Sequence, residues 1–273
     1  GDAAGAVAAY TRALAATAKA LDKSGSLDEA VERYADKLAP VDRKHRLFEQ
    51  RAHALLASDL EDHDSLLEVR NAVRRAYRDW ADATNRAFFR LCVAYGPLPG
   101  RSLRQRGVYE DIVQPLVEGG GRVAFLLVDA LRFEMAQGLA EDLRAEKYRV
   151  ALGARLAELP TVTAIGMNAL APVERNGRLR PVVRDDKVVG FTAGEFSVLD
   201  PESRVHAMTQ RSLASPAEDI ELEQFQELTV TQLKRRLSGK PPLVVVRSRE
   251  LDTAGESGLH LGIRSTLTST PHC

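Results

Sequence analysis

The sequence predicts an α/β fold: a sheet covered by helices, preceded by an antiparallel helical region. Two unbroken apolar runs, Val123–Val128 and Leu243–Val246, have strand length and no polar alternation, the pattern of strands buried on both faces. Leu131, Met135, Leu139 and Leu143 step along a helix after the first run, and Val150 to Leu152 reads as a strand after that, which is βαβ order. Ahead of both, apolar residues recur at helical spacing.

Tyr10, Leu14 and Leu21 mark a first helix, and Ser26 with Glu29 three positions on makes a capping box for a second. Val73, Tyr77, Trp80, Thr84, Phe88, Leu91 and Tyr95 descend one face of a long helix, stopped by Gly96-Pro97-Leu98-Pro99-Gly100. These helices make up residues 1–97, and their stripes predict core packing rather than a ligand groove. Residues 98–121 read as a linker with a short connecting helix, Val108 to Val117, released by Gly119-Gly120-Gly121. The α/β domain then spans 122–260. Within it 172–216, polar and punctuated by Gly and Pro with a hairpin around Asp185-Asp186, reads as an insertion. A helix with Phe225, Leu228 and Leu233 leads into the second buried strand. The Ser/Thr-rich tail 261–273 has no apolar period and is expected to be a truncation, and the Ala-rich opening at Gly1 to begin in mid-helix.

The 38 basic and 38 acidic residues cancel, so no global field draws the chain to DNA, RNA or an anionic membrane. Nucleic-acid binding by a local basic face stays undecided. No apolar run approaches the roughly 20 residues that span a bilayer, so no membrane partner is expected. Cys92 and Cys273 cannot build a disulfide framework or a Cys-type zinc site, which makes the cytoplasm the expected compartment.

Ligands of open α/β sheets gather at the carboxyl ends of the strands. Three segments qualify there: Val128-Asp129-Ala130-Leu131-Arg132-Phe133-Glu134, Leu159-Pro160-Thr161-Val162-Thr163-Ala164-Ile165-Gly166-Met167 and Leu251-Asp252-Thr253-Ala254-Gly255-Glu256. No phosphate loop, Gly-x-Ser-x-Gly elbow, His-Glu-x-x-His or paired Cys-x-x-Cys competes with them.

A strand ending in Asp-Ala-Leu-Arg, then Leu-Pro-Thr-x-Thr before Asn168-Ala169-Leu170, then a strand ending in Asp-x-x-Gly-Glu, resembles in its order the PglZ family of BREX phage-defence operons, within the alkaline phosphatase superfamily. The resemblance runs from residue 30 to 260 and takes in Tyr34-Ala35-Asp36 and Val41-Asp42-Arg43. It implies an alkaline-phosphatase-like sheet, here C-terminally truncated, and a metal-dependent phosphatase or phosphodiesterase. Such chemistry needs charge neutralised on the phosphate oxygens and an activated nucleophile, which two divalent ions about 4 Å apart supply.

By the resemblance, Thr163, the second Thr of Pro-Thr-x-Thr, is the nucleophile and a metal ligand. Asp129 binds one metal, and Asp252 with Glu256 the other. A threonine hydroxyl is a poor nucleophile near neutral pH; no base is evident in the sequence, so metal coordination is the expected activation. Glu256 stands where many superfamily members carry His, which leaves zinc, the first expectation, beside manganese and magnesium. Asn168 is a candidate to hydrogen-bond the phosphate. The later Asp-His pair of the superfamily has no counterpart after Glu256, and Asp62-His63 lies too far upstream to substitute, so the chain as given is expected to lack a complete two-metal site. The expected partners are a phosphate-ester substrate and other proteins of a phage-defence complex. The alternative is a catalytically incomplete scaffold that binds those proteins. Arg132 with Glu134 also fits a surface ion pair, and His260 an ordinary loop histidine.

Overall fold

A computed structural model describes residues 3–56, 63–212 and 216–256. Asp62, His260 and the tail 261–273 lie outside the described residues. The helices and strands run, in chain order, α1 Ala3–Thr17, α2 Leu27–Arg33, α3 Ala39–Leu56, α4 His63–Tyr95, α5 Gln114–Glu118, β1 Val123–Val128 and α6 Phe133–Ala145. Then come α7 Thr163–Gly166, β2 Arg180–Arg184, β3 Lys187–Ala193, β4 Phe196–Val198, α8 Pro201–Ser212 and β5 Glu218–Glu221. The last are α9 Leu222–Glu227, α10 Val230–Arg236, β6 Leu243–Ser248 and α11 Glu250–Glu256. They divide into two compact units, Gly1–Leu103 with Arg132–Ala154, and Arg104–Leu131 with Arg155–Cys273.

The first unit is helical. Tyr10, Leu14, Leu21, Ala30, Leu38, Val41, Val73, Trp80 and Ala87 form its core. The predicted stripe of α4 is the buried one as far as Leu91, whereas Tyr95 is exposed, one residue before Gly96 ends the helix at φ 86°. Ser26 caps α2 by accepting the Glu29 amide, but the Glu29 carboxylate accepts from Gly25 instead of Ser26, so half of the expected box forms. Between α2 and α3 the chain widens into a π-turn, Tyr34–Leu38, and Tyr109–Val113 does the same before α5. In both places a proline, Pro40 or Pro115, follows within two residues. Its ring has no N–H and crowds the carbonyl four residues back, and the wider turn relieves that clash.

The leucine stripe of α6 predicts a helix where one is found, yet Leu139 and Leu143 are exposed and the buried residues are Glu134 and Ala140. The reason is ionic. Arg46 of α3 grips Glu134 through Nε at 2.9 and 3.1 Å, and Arg43 holds Glu141 at 2.6 and 2.7 Å. Glu134 does pair with Arg132, at 3.1 Å, as expected, but only Arg132, 62% exposed, lies at the surface, while Glu134 is 1% exposed. Val150 to Leu152 forms no strand; among the described residues it finds no strand to pair with.

The second unit holds two three-stranded sheets, one in the order β1-β6-β5 and one in the order β2-β3-β4. The first is parallel, with Val123 opposite Leu243 and Val128 opposite Ser248. This is a mixed helix-and-strand architecture. β6 is central, as its run of valines predicts, but β1 is an edge strand among the described residues. Its burial alternates, with Leu126 55% exposed, where burial on both faces is the expectation. β5, Glu-Asp-Ile-Glu, carries no strand signal in the sequence. It pairs because Arg247 of β6 bonds Asp219 at 2.9 Å and Glu221 at 3.0 Å, which offsets the cost of acidic side chains in a ladder.

The single helix expected around Phe225, Leu228 and Leu233 is two, α9 and α10, because Thr229 starts a new one with a capping box to Gln232. β2 and β3 form the expected hairpin, with Asp185 and Asp186 both left-handed, the combination of a type I′ turn. Segment 172–216 has an apolar interior. Phe191, Ala193, Phe196 and Val198 pack with Ile165, Ala169 and Ala207. The next residue of α8, Met208, joins Tyr109, Val113, Leu127, Leu243 and Val245 in a second apolar cluster. Helix α8 thus serves both interiors of this unit.

Candidate active site

The carboxyl edge of the parallel sheet collects the acidic motifs. β1 ends at Val128, and Asp129 extends its ladder by one bond, donating its amide to Ser248 O at 3.0 Å. Asp129 is 8% exposed, and its Oδ1 accepts the Ala130 amide at 3.0 Å. That contact closes a turn in which Ala130 is left-handed, φ 59°. A residue with a Cβ bears about 1–2 kcal/mol of strain there, and such strain concentrates at functional turns. From the adjacent strand end the chain enters α11, whose first residue, Glu250, accepts a hydrogen bond from Ser248 Oγ. Asp252 and Glu256, four residues apart, share one face of this helix. Parallel pairing therefore brings Asp129 and the start of α11 to one edge of the sheet.

Thr163 occupies the first position of α7 and is exposed, as is Thr161. Among the described residues the side chains of Thr163, Asp252 and Glu256 make no hydrogen bond or ion pair. The turn beneath Thr163 is anchored on two sides. Gln105 donates to Gly166 O at 3.0 Å while accepting the Glu158 amide at 2.9 Å, and Glu158 is itself clasped by Arg106. Asn168 is buried, and its amide is engaged at both ends: Nδ2 donates to Ala164 O at 2.9 Å, and Oδ1 accepts from Arg204 Nη1 at 3.0 Å.

Arg204, on α8, is the residue that sequence reasoning passes over. It is 2% exposed. Burial, with Arg247 nearby, pushes its pKa down to about 10, while Asp219, Asp200 and Asp129 act the other way. Its sequence context, Ser203-Arg204-Val205 in a polar segment, carries no signal of burial.

Asp129, Asp252 and Glu256 offer the hard oxygen donors that zinc, manganese and magnesium accept. Among the described residues no group of three or more His, Cys, Asp or Glu side chains stands close enough to hold a metal ion.

Acidic residues beyond the ends of two neighbouring parallel strands, in a domain of mixed helices and strands, are consistent with an α/β protein whose candidate site is at the strand ends. Residues 108–257, more than half of the chain, match the family described as the BREX system PglZ alkaline phosphatase-like domain, and the chain belongs to that family. It is similar to the alkaline phosphatase-like protein BrxZ of Escherichia coli O9:H4 (strain HS), 29% identical over 154 residues, covering 52% of this chain and 17% of BrxZ. It is similar also to the alkaline phosphatase-like protein PglZ of Bacillus cereus (strain H3081.97), 29% identical over 149 residues, 51% of this chain and 16% of the relative. The chain thus spans about a sixth of the length of these curated relatives. Among the described residues, no helix is long and apolar enough to cross a membrane.

Proposed function

We propose that the protein is a phosphoric-ester hydrolase of the alkaline phosphatase superfamily, acting in the cytoplasm within a BREX-type bacteriophage-defence system. Its partners are other proteins of that system, and its substrate is a phosphate monoester or diester. The observation that carries this reading is the parallel pairing of β1 with β6, from whose carboxyl ends Asp129 and the Asp252/Glu256 helix emerge at one edge. The domain is read as an alkaline-phosphatase-like sheet, preceded by a helical region over 1–97 and interrupted by 172–216.

In this proposal Thr163 Oγ1 attacks phosphorus, the ester oxygen leaves from the opposite face, and water later releases the phosphate from the threonine. The exposure of Thr163 supports it, because the hydroxyl is open to an incoming ester. Divalent ions, zinc foremost and manganese or magnesium as alternatives, would neutralise the phosphate charge beside Asp129, Thr163, Asp252 and Glu256, with further ligands required from elsewhere in the polypeptide. In the full-length protein, Thr163→Ala should lower hydrolysis of bis-p-nitrophenyl phosphate at least ~10³-fold with unchanged circular dichroism. Retained turnover refutes the role.

A second reading keeps the same fold and family and drops the chemistry. On it the protein is a catalytically incomplete scaffold for its defence partners. Elemental analysis separates the two: stoichiometric divalent metal in active full-length protein excludes the scaffold, whereas metal-free, inactive protein that still assembles with its partners excludes the enzyme.

A further inference from the structure

We propose that Arg204 is a positioning residue, holding the backbone of the Thr163 turn from the protein interior by way of Asn168. The inference rests on the reading of Thr163 as nucleophile. Two hydrogen bonds make the link. Arg204 Nη1 donates to Asn168 Oδ1 at 3.0 Å, and Asn168 Nδ2 donates to Ala164 O at 2.9 Å. Ala164 directly follows Thr163. A helix of four residues has no cooperative stability of its own, so its geometry is set by what grips it. Ile165 packs into the apolar interior, Gln105 holds Gly166 O, and Asn168 holds Ala164 O.

The environment of Arg204 argues against a purely stabilising role. Among the described residues no carboxylate lies within ion-pair distance of the guanidinium, and its buried Nε finds no acceptor. An interior selected for stability alone either pairs such a charge directly or replaces it with an apolar side chain of similar volume. Apolar packing is available, since Val205, Ala207 and Met208 on the same helix all meet apolar clusters. What the guanidinium supplies that methionine would not is a directed N–H for Asn168 Oδ1. Its planar fork also fixes that direction in a way a lysine ammonium does not. Being 2% exposed, Arg204 acts through Asn168 rather than on substrate.

The test compares full-length wild-type protein with Arg204→Met, Arg204→Lys and Asn168→Asp. The aspartate keeps an acceptor for Arg204, in an ion pair, but removes the donor to Ala164 O. Hydrogen–deuterium exchange should accelerate at least ~10-fold in the peptide spanning 159–171, with β1 and β6 unchanged, in all three variants. The Arg204→Met melting temperature should not fall. On bis-p-nitrophenyl phosphate, kcat should drop on the order of 10²-fold, the effect of misplacing a reacting group by about 1 Å, while KM moves less than about threefold. Wild-type exchange in 159–171 for Arg204→Met overturns the proposal, and so does acceleration spread evenly over the unit. Should Arg204→Met fail to fold, Asn168→Asp decides on the same exchange criterion. If wild-type protein hydrolyses nothing, the reading of Thr163 falls, while the exchange measurement still decides whether Arg204 positions the turn.

Discussion

The helical unit and the sheet-bearing unit differ in how they partner the charged side chains they bury most deeply. In the helical unit, Glu134 is gripped by Arg46 and Arg132, and Asp42 accepts from Tyr34 at 2.6 Å and from Tyr77 at 2.7 Å. Tyr10 Oη is hydrogen-bonded to His45 Nδ1 at 3.1 Å, and the His45 ring stacks on Tyr77 at 3.7 Å. Among the described residues both units keep buried side-chain atoms without a partner, Ser24 Oγ, Arg33 Nε and Arg70 Nε in the helical unit and Glu110 Oε2, Gln114 Oε1 and Arg204 Nε in the sheet-bearing one, but only Glu110 and Arg204, each 2% exposed, are residues buried as a whole. An unpaired buried polar atom costs about 1–3 kcal/mol, and the cost is greatest for a charged group with no access to water. The contrast teaches that the helical unit pairs its most deeply buried carboxylate in full, whereas the sheet-bearing unit buries an arginine and a glutamate that are each only partly paired.

Breaking this comparison begins with its tightest pair. Glu134→Ala should lower the stability of the protein by about 3 kcal/mol, because Arg46 is left half-buried without a carboxylate. A urea midpoint unchanged from wild type would remove the claim that this pair organises the helical unit.

The next effect concerns pH, and the two units respond with opposite signs. Burial raises the Glu110 pKa above its ordinary value near 4.5, so its favourable contribution is complete below that value and is lost as pH rises through the folded-state pKa. Burial lowers the pKa of His45 below its ordinary 6.5, so its contribution is present above 6.5 and is lost as pH falls toward the folded-state value. Glu110→Gln should therefore gain on the order of 1 kcal/mol over wild type at pH 7 and lose that advantage near pH 4.5. His45→Phe should flatten the decline in stability between pH 6.5 and 5. Urea denaturation at three pH values checks both, and the same sign of response from the two variants would break the comparison.

The smallest effect sharpens it. Glu141 meets Arg43 in good geometry but on the surface, where water and salt screen the pair, so Glu141→Gln should leave the melting temperature where it was. A clear drop would mean that surface pairs, and not the interior Glu134 network, join α3 to α6.

Much of the fold was legible wherever a local pattern has a local cause. Gly96 ends α4 as expected, Ser26 starts α2, two aspartates make the turn at 185–186, and the runs at 123–128 and 243–246 are strands. The likeness to the PglZ family was equally legible, and the family match over residues 108–257 shows it. What stayed hidden is non-local. β5 is a strand only because Arg247 neutralises its acids. The leucines of α6 face outward because Arg46 and Arg43 claim its opposite side.

The sequence by itself determined most of the stretches that coil or extend, the caps and turns that stop them, and which acidic residues follow the two strong strands, since each of these depends on neighbours within one or two turns of chain. Tertiary structure alone decided that β1 lies at an edge, that Asp129 shares its edge with α11, and that Arg204 stands behind Asn168. Those pairings join residues from 36 to well over 100 positions apart, and burial and charge compensation at such separations are properties of the folded chain, with no trace in the pattern of either partner alone.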